Sequence, residues 1–153
     1  MTSALLVEAL AEHIEKAMAE YRYKRQDHTE CRLTIHKYGL QREAYEEFLD
    51  PYIIIKPVEG NDDIEVSTVK CLLMICIREE DTEIGYRGMM NIIEHLRQSL
   101  LSTVAIGKRF PVKRPLKWAI DSEPNNPTCT GYIALECNIS TITCFQELKE
   151  LYT

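Results

Sequence analysis

Apolar residues recur at helical spacing from Ser3 to Lys24, at Leu6, Leu10, Ile14, Ala17, Met18 and Tyr21, while Glu8, Glu12, Glu15 and Lys16 fall mainly elsewhere. The pattern predicts an amphipathic helix over 3–24. Thr2 or Ser3 is placed to cap its start, and Lys24 and Arg25 suit the negative end of its dipole. Cys31, Leu33 and Ile35 then alternate with Arg32, Thr34 and His36, the period-two signature of a half-buried strand that Tyr38-Gly39 ends. Pro51 introduces a β-branched run, Tyr52 to Val58, closed by a polar loop from Glu59 to Asp63. The next segment, Ile64 to Arg78, is apolar at consecutive positions from Leu72 to Ile77, so it reads as a central strand covered on both faces.

A second helix should begin after Asp81-Thr82, carry Tyr86, Met89, Met90, Ile93, Leu96 and Leu100 on its apolar side, and fade before Gly107. Two further strands follow, with Val112, Leu116, Trp118 and Ile120 on one face of the first and Ile133, Leu135, Cys137 and Ile139 on one face of the second. A short C-terminal helix is expected over 145–152. Short connections between strands favour antiparallel pairing, and an amphipathic helix needs a sheet to bury against. The expected fold is therefore α+β, a mainly antiparallel (mixed) sheet of about four to five strands packed against two helices. One domain spans 1–153, with the sheet and second helix inside 31–140.

Length agrees: 153 residues lie well below the roughly 250–300 at which one core stops growing. The composition, 45% hydrophobic and 27% charged, is that of a globular domain. Net charge is −6, which opposes nucleic-acid binding unless basic residues cluster, so no sequence-specific nucleic acid is expected as a partner. The apolar run from Cys71 to Ile77 is far shorter than the roughly 18–20 residues that cross a bilayer, and no membrane partner is expected. Glu8 and Glu12 interrupt the N-terminal apolar stretch, which reads as an intracellular start rather than a secretory signal.

Six cysteines and four histidines are present, without the Cys-x-x-Cys and paired-His spacings of a zinc site. Cys71, Cys76 and Cys137 fall inside strand patterns as small core residues, whereas Cys129 and Cys144 lie near segment ends. A thiol nucleophile would need Cys129 or Cys144 exposed beside His28, His36 or another base. Gly85-Tyr86-Arg87-Gly88 lacks the lysine and spacing of a phosphate loop, and no cofactor, metal or catalytic group is assigned. The local charge anomaly is the stretch Gly107 to Trp118, where Lys108, Arg109, Lys113, Arg114 and Lys117 accompany Phe110 and Trp118. Alternation puts Lys113 and Lys117 opposite Leu116 and Trp118. The acidic turns Asp62-Asp63 and Glu79-Glu80 are candidate complements to this basic stretch in an interface.

The order and spacing of Pro51-Tyr52-Ile53-Ile54-Ile55-Lys56-Pro57-Val58-Glu59-Gly60, the long strand after it, Asp81 through Gly85-Tyr86, Asn91 to Arg97, Phe110 and Pro115-Leu116-Lys117-Trp118 resemble the tail terminator proteins of siphovirus-like phages and prophages. The likeness covers about Pro51 to Ile139; the segment 38–50 and the tail beyond Thr141 do not match it. It implies a non-enzymatic α+β protein that forms a six-membered ring on the tail tube, stops tube growth and presents the head-joining surface. The implied partners are further copies of itself, the tail tube protein and head–tail connector proteins. The implied location is the virion neck, and the bacterial cytoplasm during assembly. Alternatives are another neck protein, such as a head-closure or connector-completion factor, or a small enzyme or accessory module using a Cys-His site. A ring requires two different patches on each subunit.

Overall fold

A computed structural model describes residues 2–24, 29–40, 51–121 and 127–141. The elements are α1 (Thr2–Ala17), β1 (Tyr23–Lys24), β2 (Glu30–Cys31), β3 (Thr34–Lys37), β4 (Tyr52–Asp62), β5 (Ser67–Arg78), α2 (Thr82–Ser102), β6 (Val112–Asp121) and β7 (Thr128–Ile139). The fold is α+β, as the hydrophobic pattern predicts. β1 and β2 pair as a small antiparallel ribbon, and the other strands form a five-stranded mixed sheet in the order β3-β4-β5-β7-β6. Among the described residues only β3 and β4 pair in parallel.

Both helices lie on one face of this sheet. α1 packs chiefly on β3 and β4, and α2 on β7 with its neighbours β6 and β5. The core is built by Leu6, Leu10 and Ile14 of α1, Met89, Ile92, Leu96 and Leu100 of α2, and the odd-numbered residues Leu73, Ile75, Ile133 and Leu135 of the central strands, all 0–1% exposed. β5 is therefore central, but its faces are unlike. Cys71, Leu73 and Ile75 are buried under the helices, while Leu72, Met74 and Cys76 on the other face stay half-buried, and among the described residues no helix covers them.

Several boundaries differ from the sequence reading. The first helix ends at Ala17 rather than near Lys24, and side chains satisfy carbonyls at and just past its end: His95 Nε2–H bonds Ala17 O at 2.9 Å, and Arg22 and Arg32 both donate to Ala19 O, at 2.7 and 2.8 Å. Tyr21 then leaves the helix pattern and rests against the His95 ring, centroids 5.6 Å apart. The expected strand 31–36 is divided, Cys31 pairing with Tyr23 in the small ribbon and Thr34–Lys37 joining the main sheet beside β4. β4 runs on to Asp62 through a bulge between Pro57 and Glu59, so the expected loop 59–63 is mostly strand. In exchange β5 starts at Ser67 rather than Ile64; Asp63 N–H bonds Val66 O at 3.0 Å, closing the hairpin before it.

α2 begins at Thr82 with Asp81 as its cap, the carboxylate accepting from the Ile84 amide at 3.0 Å. Its buried side is Gly85, Met89, Ile92, Ile93, Leu96 and Leu100. Tyr86 and Met90, expected on that side, are 42% and 48% exposed. The expected C-terminal helix 145–152 lies outside the described residues.

Candidate functional site

The basic stretch from Lys108 to Lys117 does not form one patch. α2 gives way to a tight turn in which Gly107 and Lys108 take φ of 60° and 63°, and Ile106 N–H bonds Phe110 O at 2.8 Å. A side chain at Gly107 would meet the Ala9 Cβ at 3.0 Å, so this turn is pinned under α1. Phe110 is 3% exposed and belongs to the core, which removes it from the candidate interface. Arg109, its guanidinium 5.5 Å from the Phe110 ring centre, joins Glu8, Glu12, Glu15 and Lys37 around a cleft of about 460 Å³ beside α1.

β6 disposes of the remaining cations. It pairs with β7 in two regular stretches, with the register shifting between Lys113 and Lys117, across the cis Arg114–Pro115 peptide. Lys113 lies opposite Glu136, and Lys117 opposite Ala134, both on the sheet face away from the helices. The Lys113 ammonium stands 4.0 Å from the Glu136 carboxylate, an exposed pair of little energetic weight. Arg114 projects instead towards the helix side. There, with Met90, Ile93, Glu94, Arg97 and Leu101 of α2 and Pro115, Leu116 and Trp118 of β6, it lines a groove of about 540 Å³.

This groove exists because α2 sits over β7 and, among the described residues, no helix covers the outer half of β6. Trp118 illustrates it: paired with the fully buried Ile133, it faces the helix layer as alternation predicts, yet is 50% exposed. Glu94 inside the groove is held by Arg97 through bonds of 2.9 and 3.0 Å, and by Gln98, which keep its carboxyl below the usual range. Arg114, Met90 and Trp118 are thus the cation and the exposed apolar surface of the groove. Sequence spacing alone missed Met90, since two adjacent methionines at a helix boundary face are equally apolar.

The acidic candidates are separated. Asp62 and Asp63 stand at the β4–β5 hairpin, and Glu79 and Glu80 follow the opposite end of β5, so the two turns are a full 12-residue strand apart. The more continuous acidic surface is the exposed side of α1, with Glu8, Glu12 and Glu15 beside Leu5, itself 44% exposed. Lys37 of β3 clamps Glu8 at 2.8 Å. Sequence reading placed these glutamates on the solvent side of a helix; the tertiary structure sets them along the β3 edge of the sheet.

The thiol chemistry is poorly served. Burial pushes the Cys71 thiol up to about 11 and Cys137 up to about 12, and raises Cys76, so their thiolates are disfavoured. Cys129 is 4% exposed, which removes the accessibility that the Cys-His alternative requires of it. Cys144 and His28 lie outside the described residues. His13 shares a 2.9 Å hydrogen bond with Ser99, joining α1 to α2. Among the described residues no group of three or more His, Cys, Asp or Glu is placed to hold a metal, and no helix is long and apolar enough to cross a membrane.

The described surface is therefore organised around two dissimilar sheet edges. At one, α1 covers β3 and presents Leu5 and a row of glutamates; at the other, β6 lies open beside a groove carrying Arg114, Met90 and Trp118. Compared with known proteins, the chain matches no protein-family model and no curated protein.

Proposed function

We propose that the chain is a structural subunit of a phage or prophage tail, of the tail terminator kind, which closes into a ring on the tube end, stops its polymerisation and offers the surface that joins the head. The observation that carries this reading is the pair of unlike sheet edges. A ring is made by a heterologous interface whose rotation closes, and a heterologous interface needs two different surfaces on one subunit. Among the described residues β3 pairs only with β4, and β6 only with β7, so within those residues each edge strand has one side without a strand partner. The resemblance of residues 51–139 to tail terminators supplies the biological setting: the tail tube protein and head–tail connector proteins as partners, the virion neck as location, and the bacterial cytoplasm as the place of assembly.

Sedimentation velocity of the reduced protein over a wide concentration range tests the ring. A monomer passing to one discrete species of about six subunits, the count expected of closed cyclic symmetry in this family, supports it. Addition of the protein to polymerising tail tubes tests the capping role. A protein that stays monomeric and leaves tube length unchanged is not a terminator.

A further inference from the structure

The strand registers carry a row of residues straight across the sheet: Ile35 pairs with Ile53, Ile53 with Ile75, Ile75 with Gly131 and Gly131 with Ile120. The row before it runs from Thr34 to Asp121, and the two rows after it run from His36 to Ala119 and from Lys37 to Trp118. The short edge strand β3 therefore lies at the same height as the regular outer stretch of β6, Lys117 to Asp121, although the two are at opposite edges. They also run in opposite directions, because three antiparallel pairings and one parallel pairing separate them.

From this geometry we infer that a second copy of this chain docks its β3 edge antiparallel to β6, with Ile35 facing Ile120 and its α1 filling the groove beside α2. A copy laid alongside without being turned presents β3 to β6 in that sense and at that height. The row then continues with like faces together: Ile35 and Ile120 on the helix side, and His36 beside Ala119 on the other. Lys37 arrives next to the half-exposed Trp118, an arrangement suited to cation–π contact.

The helix layer fits as well. With strands about 4.8 Å apart, α1 over the β3–β4 midline stands about 12 Å from α2 over β7 within one chain. Across the seam, α2 to the next copy's α1 spans the same number of strand intervals, about 12 Å again. Inside one chain that spacing is bridged by the His13–Ser99 and His95–Ala17 bonds; across the seam it is the groove of Met90, Leu101, Arg114 and Trp118. The side of α1 that would enter carries Leu5, Glu12 and the Lys37-clamped Glu8, with Arg109 in the same cleft. Leu5 is the apolar anchor, and Glu12 is the carboxylate for Arg114, which has no ion pair among the described residues and lines a groove whose Glu94 and Arg97 already hold each other. One copy's edge thus supplies what the other copy's edge lacks. This seam rests on the self-assembly part of the proposed function, but not on the number of subunits or on a tail tube.

A photoreactive benzoylphenylalanine replacing Trp118, irradiated in the concentrated wild-type background, reads the seam directly. The expected inter-chain product joins position 118 to residues 5–12 or 34–37 of a second copy. Products confined to other regions, or no inter-chain product, overturn the inference. A complementary test uses two variants, Met90→Glu with Trp118→Glu, and Leu5→Glu with Lys37→Glu, all at exposed positions and each checked for cooperative thermal unfolding. Each alone is expected to stay monomeric, and a one-to-one mixture to stop at a dimer, because one intact seam remains. Variants that assemble as the wild type does overturn the seam. A closed ring cross-linked elsewhere would remove the seam and leave the ring; the expected cross-link within an open filament would keep the seam and remove the ring.

Discussion

Single side chains decide how tightly the helix layer meets the sheet. Gly131 on β7 faces α2, and a Cβ there would run into the Met89 side chain and approach Ile93 Cδ1 at 3.2 Å. Met89 is fully buried and cannot swing into solvent, so Gly131→Ala is expected to destabilise the fold by about 1–3 kcal/mol, measured by urea unfolding. His13 works at the junction of the two helices. Its burial, with Lys16 nearby, lowers its pKa below the usual histidine value. The unfolded chain therefore binds this proton more readily than the folded one, so His13 erodes stability as pH falls below its unfolded pKa of about 6.5. Urea midpoints at pH 5.5 and 7.5 should differ less in His13→Gln than in the wild type; an unchanged difference would assign the acid sensitivity to other groups.

At the scale of elements, α2 has two methionines side by side with opposite fates. Met89 is 0% exposed and Met90 is 48% exposed, so Met89→Ala should cost about 2–5 kcal/mol and Met90→Ala under about 0.5 kcal/mol in the same unfolding experiment. Helical spacing alone put both on the apolar side, because a helix face about 100° wide does not resolve neighbours at its margin. β6 teaches the same lesson differently. Alternation correctly placed Lys113 and Lys117 on the face opposite Trp118, but could not reveal that α2 stops short of this strand. The division of the 31–36 pattern was equally hidden. Cys31, Leu33 and Ile35 have identical periodicity, and which strand each segment pairs with depends on partners distant in the sequence.

For the whole molecule, the two edges give the basic stretch unequal roles. Lys113 faces Glu136 on the side of the sheet away from the groove, whereas Arg114 lines the groove itself. Charge reversal at Arg114 should weaken self-association in sedimentation velocity, and reversal at Lys113 should leave it nearly unchanged. Equal effects would return the stretch to a single undivided patch. What the sequence determined by itself was the set of elements and their class: helical periodicity at Leu6, Leu10 and Ile14 and at Met89, Ile93 and Leu96, alternation at Ile133, Leu135 and Cys137, and hence helices on a largely antiparallel sheet. These are local properties, written in spacings of a few residues. The tertiary structure alone decided that β3 lies beside β4, that Phe110 is core, that the acidic turns are a strand apart, and that α1 covers one sheet edge while α2 leaves the other open. Each of those follows from contacts between residues far apart in the chain, where burial and strand pairing, rather than local period, set the lowest free energy.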